Sequence, residues 1–126
     1  MNKHELTTGE TMIMKVIWQH EEPVSIQDLT AELERTYNKD YARSTVVTFL
    51  TSMSGKGFVD TVRKGRLAYV FATKSEDEYR QEMAERNSQM WFHGRLTEYI
   101  AALHKAGGLT PEDIRKAKEY LDELDD

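Results

Sequence analysis

The sequence has 126 residues, of which 39% are hydrophobic and 31% charged, with a formal net charge of −5, which fits one compact domain or a small domain with an appendage. It contains no cysteine, which excludes disulfides, thiolate catalysis and thiolate metal sites, and none of its apolar runs approaches the roughly 18 residues that a membrane-spanning helix needs. No apolar segment of the kind found in secretory signal peptides follows the first residues, so a cytoplasmic protein is expected.

The first third of the chain predicts two helices. Apolar residues repeat at helical spacing from Thr8 to His20, with Thr8 as the expected N-cap, and a Glu-Glu-Pro segment ends that helix. Val24 is expected to pair as a short edge strand. Ser25 precedes an acid by the spacing of a helix cap, so a second helix is predicted from Ser25 to about Tyr37.

A third helix and a hairpin follow. The helix is predicted from Arg43 to Lys56, and Gly57 supplies the left-handed residue with which many helices end. The pattern then changes to alternation, which predicts strands over residues 58–62 and 67–71 joined by an Arg-Lys-Gly-Arg turn. The apolar stripe expected to face the core from the third helix consists of Val46, Phe49, Leu50 and Met53.

The second half of the chain predicts further helices. A Ser-Glu-Asp-Glu capping box begins one at Ser75, which runs to Phe92 or beyond and breaks at Gly94. A helix over residues 95–105 follows, and two glycines stop it. Thr110 as N-cap, followed by proline and two acids, predicts the start of the last helix.

Positive charge is concentrated in one part of the chain. Basic and acidic residues are equal in number over residues 1–72, and the whole net negative charge comes from residues 73–126. Between residues 43 and 66 there are five bases and one acid, Asp60. Such a patch on an otherwise acidic protein is typical of a phosphate-binding surface, although a solvated surface face gives the same pattern.

Three short helices and a basic-tipped hairpin, in this order, predict a winged helix-turn-helix over residues 1–73, whose third helix enters the major groove of DNA. Arginine and hydroxyl side chains at the start of that helix suit phosphates and base edges, and the hairpin tip suits the backbone or a minor groove. Each side chain alone is also ordinary at a helix start or a turn, so the prediction depends on the order of the elements. The predicted DNA contacts are Arg43, Ser44, Thr45, Thr48, Thr51, Arg63, Lys64 and Arg66.

Residues 74–126 are predicted to form a helical dimerisation arm, which makes the fold mainly α with a small β-hairpin. This part holds more large apolar side chains than short trailing helices can bury, and exposed apolar patches usually mark association. A two-fold dimer would also match a palindromic operator. The alternative is a helical bundle packed on its own winged helix. The residues predicted at the dimer interface are Tyr79, Met83, Met90, Trp91, Phe92, Leu96, Tyr99, Ile100, Leu103, Leu121 and Leu124.

Several segments, spread over nearly the whole chain, resemble the penicillinase repressor family (BlaI/MecI/CopY type). They are Glu10–Trp18, Ser44–Leu50, Met53 with Lys56–Val59, Lys64–Arg66 with Tyr69 and Phe71, and Ser75–Tyr79. The resemblance implies a homodimeric repressor that covers its promoter. It also implies that Arg43, Ser44, Thr45 and Thr48 are recognition-helix contacts, and that Lys64 and Arg66 are wing contacts.

The same resemblance bears on regulation. In several members of that family a membrane sensor-protease cleaves the arm, which implies such a protease as a partner. In the β-lactam-responsive branch the cut falls at an Asn-Phe pair, but Ala102 and Leu103 occupy the aligned position here. The copper-responsive branch ends in a cysteine-rich metal motif, and this chain has no cysteine.

Two other classes of function are alternatives to DNA binding. An enzyme is not predicted, because there is no glycine-rich phosphate loop and the histidines lack metal-ligand spacing; no catalytic residue, metal or cofactor is expected. A winged-helix module that binds proteins and not DNA is the alternative function. The histidines are His4, His20, His93 and His104.

Removal of the chain after about residue 73 is expected to leave a folded, weakly binding monomer.

Overall fold

The computed structural model describes residues 5–125. The chain divides into two compact units between Gln81 and Glu82. The first unit holds three helices and a three-stranded sheet, and the second is helical. In chain order the elements are α1 (Thr8–Trp18), β1 (Val24–Ser25), α2 (Ile26–Tyr37), α3 (Arg43–Gly55), β2 (Val59–Lys64), β3 (Leu67–Ala72), α4 (Glu76–Phe92), α5 (Leu96–Lys105) and α6 (Pro111–Asp125).

Helix α1 is capped by Thr7, so the prediction of Thr8 as N-cap was wrong. The Thr7 hydroxyl accepts from the backbone N–H of Glu10 at 3.2 Å, and the Glu10 carboxylate accepts from the N–H of Thr7 at 2.9 Å. This reciprocal capping box needs an acid three residues after the cap. Thr8 has Thr11 at that position, and the Thr11 hydroxyl donates instead to the Thr7 carbonyl at 2.8 Å.

The predicted starts and ends of α2 and α3 agree with the structure. The Ser25 hydroxyl accepts from the N–H of Asp28 at 3.0 Å, which confirms the cap of α2. That helix ends at Tyr37, where Asn38 adopts a left-handed φ of 56°. Helix α3 ends one residue before the predicted Lys56, and Gly57 has the expected positive φ of 86°.

The sheet is antiparallel, in the order β1-β3-β2. The short strand at Val24 pairs with Val70, as predicted. The hairpin turn is tighter than expected, because Lys64 pairs directly with Leu67 and leaves only Gly65 and Arg66 between the strands. Gly65 has a φ of 64°, which a two-residue turn with glycine at its first central position requires.

The core of the first unit also contains a side chain that was expected at the dimer interface. Tyr79 is only 7% exposed, and its ring lies 5.2 Å from that of Phe58 and 6.1 Å from that of Trp18, centroid to centroid. Its hydroxyl accepts from the backbone N–H of Leu6 at 3.2 Å. Tyr79 therefore belongs to the folded core, and its prediction as an exposed interface residue is corrected. The other core residues are Ile13, Met14, Val16, Ile17, Val24, Ile26, Leu29, Leu33, Val46, Leu50, Met53, Phe58, Val59 and Val70.

The helices after the sheet begin within one residue of the predicted positions, and residues 82–125 bury no side chain. The capping box at Ser75 and Glu78 begins α4, and positive φ values at His93 and Gly94 end it, both as predicted. The Thr110 hydroxyl accepts from Asp113 N–H at 3.1 Å at the start of α6. The predicted fold, mainly helical with a small hairpin in a winged helix-turn-helix, is confirmed.

Candidate nucleic-acid interface

The outward face of α3, the predicted recognition helix, carries hydroxyls and no acid. Val46, Leu50 and Met53 are buried, so the opposite side of this helix faces outward. No acidic residue lies anywhere in α3, and a polyanion can therefore approach it without repulsion. The exposed side chains of the helix are Arg43, Ser44, Thr45, Val47, Thr48, Thr51, Ser52 and Ser54.

Two of the hydroxyls on this face already use their protons inside the helix. Thr48 Oγ1 donates to the carbonyl of Ser44 at 3.0 Å, and Thr51 Oγ1 donates to the carbonyl of Val47 at 3.0 Å. In this arrangement each threonine offers a partner its oxygen lone pairs and its methyl group, but not a proton. Thr48 and Thr51 stay predicted DNA contacts, and in this arrangement they would contact donors or methyl groups of base edges, because phosphate oxygens only accept hydrogen bonds.

A buried ion pair fixes the end of α3 against the start of α1. Glu10 is 2% exposed, its Oε1 lies 2.7 Å from Nζ of Lys56, and its Oε2 accepts from Ser52 at 3.2 Å. Burial raises the pKa of Glu10, but hydrogen bonds from Lys56, the Thr7 N–H and Ser52 outweigh it, so the pKa lies below the ordinary 4.5. The charge of Lys56 is thus neutralised by Glu10, so Lys56 does not add to the positive charge that residues 43–66 offer a ligand.

Helices α1 and α3 approach each other closely at Gly9. A Cβ atom on this residue would lie 2.9 Å from Cζ of Phe49 and 3.7 Å from the Tyr41 hydroxyl. The rings of Phe49 and Tyr41 pack with centroids 5.4 Å apart, so Tyr41 restrains the Phe49 ring that lies beside Gly9. The absence of a side chain at Gly9 therefore helps to set the position of α3.

We call the β2–β3 hairpin the wing. Successive side chains of a strand point to opposite faces, and Thr61 lines a cleft together with Thr51 of α3, so Arg63 lies on the face towards α3. Lys64 lies on the outer face, where its Nζ is 5.7 Å from the ring centroid of Tyr69. The two neighbouring bases are thus presented in opposite directions.

The cations predicted to bind DNA are available to a ligand. Every predicted contact residue is exposed. Within residues 5–125, none of Arg43, Arg63, Lys64 and Arg66 forms an ion pair. Their charge is therefore not compensated inside the described part of the chain, which favours an anionic partner.

The second unit presents an apolar surface. No side chain within residues 82–125 is buried. Trp91 is 69% and Leu124 65% exposed, and the only ring pair of this described part joins Phe92 to Tyr99 at 4.7 Å. The other predicted interface residues that are exposed are Met83, Met90, Leu96, Ile100, Leu103 and Leu121.

Two exposed apolar residues of α6 were not among the predicted interface residues. Ile114 and Tyr120 are 41% and 63% exposed. Ile114 lies two helical turns before Leu121, so helical periodicity gave a signal for it. Tyr120 lies outside that stripe, so helical periodicity does not indicate it.

Two of the described histidines, His20 and His93, form surface pairs with acids. His20 Nε2 lies 2.9 Å from Glu32, and His93 Nδ1 lies 3.0 Å from Glu98. Among the residues that the structure describes, no three or more acidic or histidine side chains are grouped so as to hold a metal ion. In the same residues, no helix has the length and apolar character needed to cross a membrane.

Solved structures with a similar fold include repressors. The solution structure of the DNA-binding domain of the repressor BlaI is 24% identical, covers 62% of this chain and 92% of that one, and superposes with a TM-score of 0.52. The monomeric form of BlaI from Bacillus licheniformis, in complex with the blaP half-operator, is 25% identical over 60% of this chain and 88% of that one, with a TM-score of 0.49.

Sequence comparison extends the similarity over the whole chain. An uncharacterized 16.5 kDa protein in the ptsI 3′ region of Latilactobacillus sakei is 27% identical over 120 residues, which are 95% of this chain and 80% of that protein. The family described as penicillinase repressor matches residues 6–123. The chain therefore belongs to the penicillinase repressor family and has the fold of a winged-helix DNA-binding repressor.

Proposed function

We propose that this protein is a homodimeric transcriptional repressor that binds a palindromic DNA operator through α3 and the wing. The observation that carries the proposal is an acid-free hydroxyl face on α3 next to exposed cations that form no ion pair within residues 5–125. In a winged helix-turn-helix the third helix lies in the major groove, and a wing can reach the backbone or the minor groove. Membership of a repressor family supports the proposed DNA binding. The proposal includes no catalytic activity.

The proposed contacts divide into two classes. Arginine and lysine side chains bind phosphates and set the register of the protein on the duplex. The small polar side chains of α3 approach base edges and contribute sequence preference. The first class consists of Arg43, Arg63, Lys64 and Arg66, and the second of Ser44, Thr45, Thr48 and Thr51.

The second unit is proposed to pair with a second copy of itself. Its residues 82–125 bury no side chain in the single chain, and a helical segment without a buried face is rarely stable alone. In α5, Leu96, Ile100 and Leu103 are 55%, 38% and 38% exposed and lie on one face. A two-fold dimer would cover this face and place two copies of α3 on two half-sites.

Proteolytic relief of repression is not part of the proposal. Ala102 and Leu103, which occupy the position of the family's cleavage site, lie inside helix α5. Because proteases bind extended segments, this helix would have to unwind locally before cleavage.

The DNA-binding proposal is tested by titrating duplex DNA from upstream of the protein's own gene with the protein, followed by fluorescence anisotropy at several salt concentrations. Each neutralised phosphate contributes about −0.9 to the log-log slope, so we expect a slope steeper than about −4. A slope near −1 would favour the protein-interaction module. Arg66→Ala should flatten the slope by about 1, and Lys105→Ala, which removes an exposed base from the second unit, should not.

Dimerisation is tested by sedimentation equilibrium on Ile100→Asp. A carboxylate within the proposed interface should convert the dimer to a monomer, because an unpaired charge is costly to bury. Lys105→Asp is the matched control, since Lys105 lies on the opposite side of α5 from Ile100 and Leu103. A wild-type monomer at operator-binding concentrations would contradict the proposed dimer.

A further inference from the structure

Val47 is an exposed apolar residue in the middle of the recognition helix. It is 39% exposed, although its neighbour Val46 is fully buried. Valine restricts its own side chain in a helix and is less favourable there than alanine or a charged residue. Val47 is not part of the buried core cluster, so core packing does not require valine at this position.

The surroundings of Val47 are suited to a small apolar group. The side chain lies at a cleft that is also lined by Leu50, Thr51 and Ser54 of α3 and by Thr61 and Ala68 of the wing. Thr51 uses its hydroxyl proton on the Val47 carbonyl, at 3.0 Å, so its oxygen lone pairs and its methyl group are left for a ligand. This part of the surface proposed to face DNA thus offers carbon and hydroxyl groups but no charged side chain.

Among the base edges of the major groove, the thymine C5-methyl is the apolar group. Side chains that end in methyl groups recognise it by apolar contact, and guanine is instead read by arginine or lysine. No arginine or lysine follows Arg43 within α3. The chemistry of the central part of this helix therefore fits thymine better than guanine.

We propose that Val47 contacts a thymine C5-methyl group in each operator half-site and so makes that position specific for thymine. The inference rests on the proposed function, because it requires α3 to lie in the major groove. It goes further by naming the base that this helix prefers and the side chain that selects it.

The test begins with a pool of duplexes with a random central segment, from which the wild-type protein selects its preferred sequence. Each thymine of the selected duplex is then replaced singly by deoxyuridine, which removes only the C5-methyl group. We expect at least one replacement in each half-site to weaken binding about fourfold, the scale of burying one methyl group. Val47→Ala should bind the thymine and uracil duplexes equally at that position.

The matched control is Val62→Ala. Val62 is 37% exposed and lies on the outer face of the wing beside Tyr69, on the adjacent strand, so the thymine preference should persist in this variant. Val47→Ala should melt close to the wild type, because the better helix propensity of alanine offsets the loss of a side chain that is only partly covered. Two results would overturn this inference and leave the proposed function standing. The wild type could bind every uracil duplex as tightly as the thymine duplex, or Val47→Ala could lose as much affinity as the wild type when uracil replaces thymine. Failure of the wild type to select any duplex would overturn the proposed function as well.

Discussion

Glu10 in the first turn of α1 and Lys56 just after α3 form a 2.7 Å ion pair, with 3% and 18% of the respective side chains exposed. Lys56 also donates to the carbonyl of Glu5 at 2.9 Å. The pair therefore joins the chain before α1, the start of α1 and the end of the recognition helix. This interaction helps to hold the helix that is proposed to bind DNA, and none of the proposed DNA contacts takes part in it.

We predict that Glu10→Gln lowers the free energy of unfolding by about 1–3 kcal/mol, because it leaves the Lys56 ammonium without a countercharge in a mostly buried place. The affinity for DNA should fall as well, since α3 loses a constraint at its end. Urea unfolding and anisotropy titration measure the two effects. Ser52→Ala removes only the weaker 3.2 Å contact and should cost less than 1 kcal/mol. Equal stability of Glu10→Gln and wild type would contradict the role given to the pair.

The same carboxylate predicts a pH dependence of stability. The pKa of Glu10 in the folded protein lies below its ordinary value of 4.5, owing to Lys56, the Thr7 N–H and Ser52, which outweigh the effect of burial. The unfolded chain therefore binds this proton more readily, so the stabilisation is present above pH 4.5 and is lost as the pH falls through the lowered pKa. In urea unfolding, the difference between wild type and Glu10→Gln should shrink from about pH 6 to about pH 3. A difference that grows on acidification would exclude this explanation.

Gly9 and Gly55 predict opposite results for one substitution. Gly9→Ala places a methyl group 2.9 Å from the Phe49 ring, so we expect a loss of about 1–2 kcal/mol from overpacking. Gly55, at the end of α3, has nothing within 4 Å of an added Cβ, so Gly55→Ala should gain about 0.5–1 kcal/mol through helix propensity. Thermal unfolding of both variants decides the matter. If both substitutions raised the stability, α1 and α3 would be able to move apart at Gly9 at little cost.

The burial of Tyr79 changes the expected result of truncation. A fragment of residues 1–73 lacks this ring, and also the carbonyl of Lys74 that accepts from Trp18 Nε1 at 2.9 Å. We predict that fragment 1–73 is less stable than fragment 1–81 by about 3–5 kcal/mol, the usual cost of deleting a large buried aromatic side chain. Urea unfolding of the two fragments measures the difference. If both unfold at the same concentration, Tyr79 contributes nothing to the core, and the boundary expected after residue 73 stands.

Features decided by neighbouring residues could be predicted from the sequence. The caps at Ser25 and Thr110 depend on a side chain and a backbone N–H three residues away, and both are confirmed. The cap of α1 was misplaced because Thr7 and Thr8 are both suitable, and only the carboxylate of Glu10 distinguishes them.

Features decided by distant packing could not be predicted. The sequence places Tyr79 with the aromatic residues of the second half, and only the packing against Phe58 and Trp18 assigns it to the core. In the same way the charge of Lys56 looked available until its partner, 46 residues earlier in the chain, was known.

The two faces of the wing lead to a prediction about Arg63 and Lys64, which are neighbours on the same strand. Arg63 shares the face of Thr61, which borders the cleft beside α3, whereas Lys64 lies over the Tyr69 ring on the outer face. With α3 in the major groove, Arg63 is the better placed to reach a phosphate next to that groove. We expect Arg63→Ala to weaken binding to all duplexes alike and to flatten the salt slope by about 1, and Lys64→Ala to change the slope by less than half as much. Anisotropy titrations over a salt series compare the two variants, each of which removes one exposed charge from the same strand. A larger effect for Lys64→Ala would mean that the outer face of the wing, and not the face towards α3, lies against the DNA.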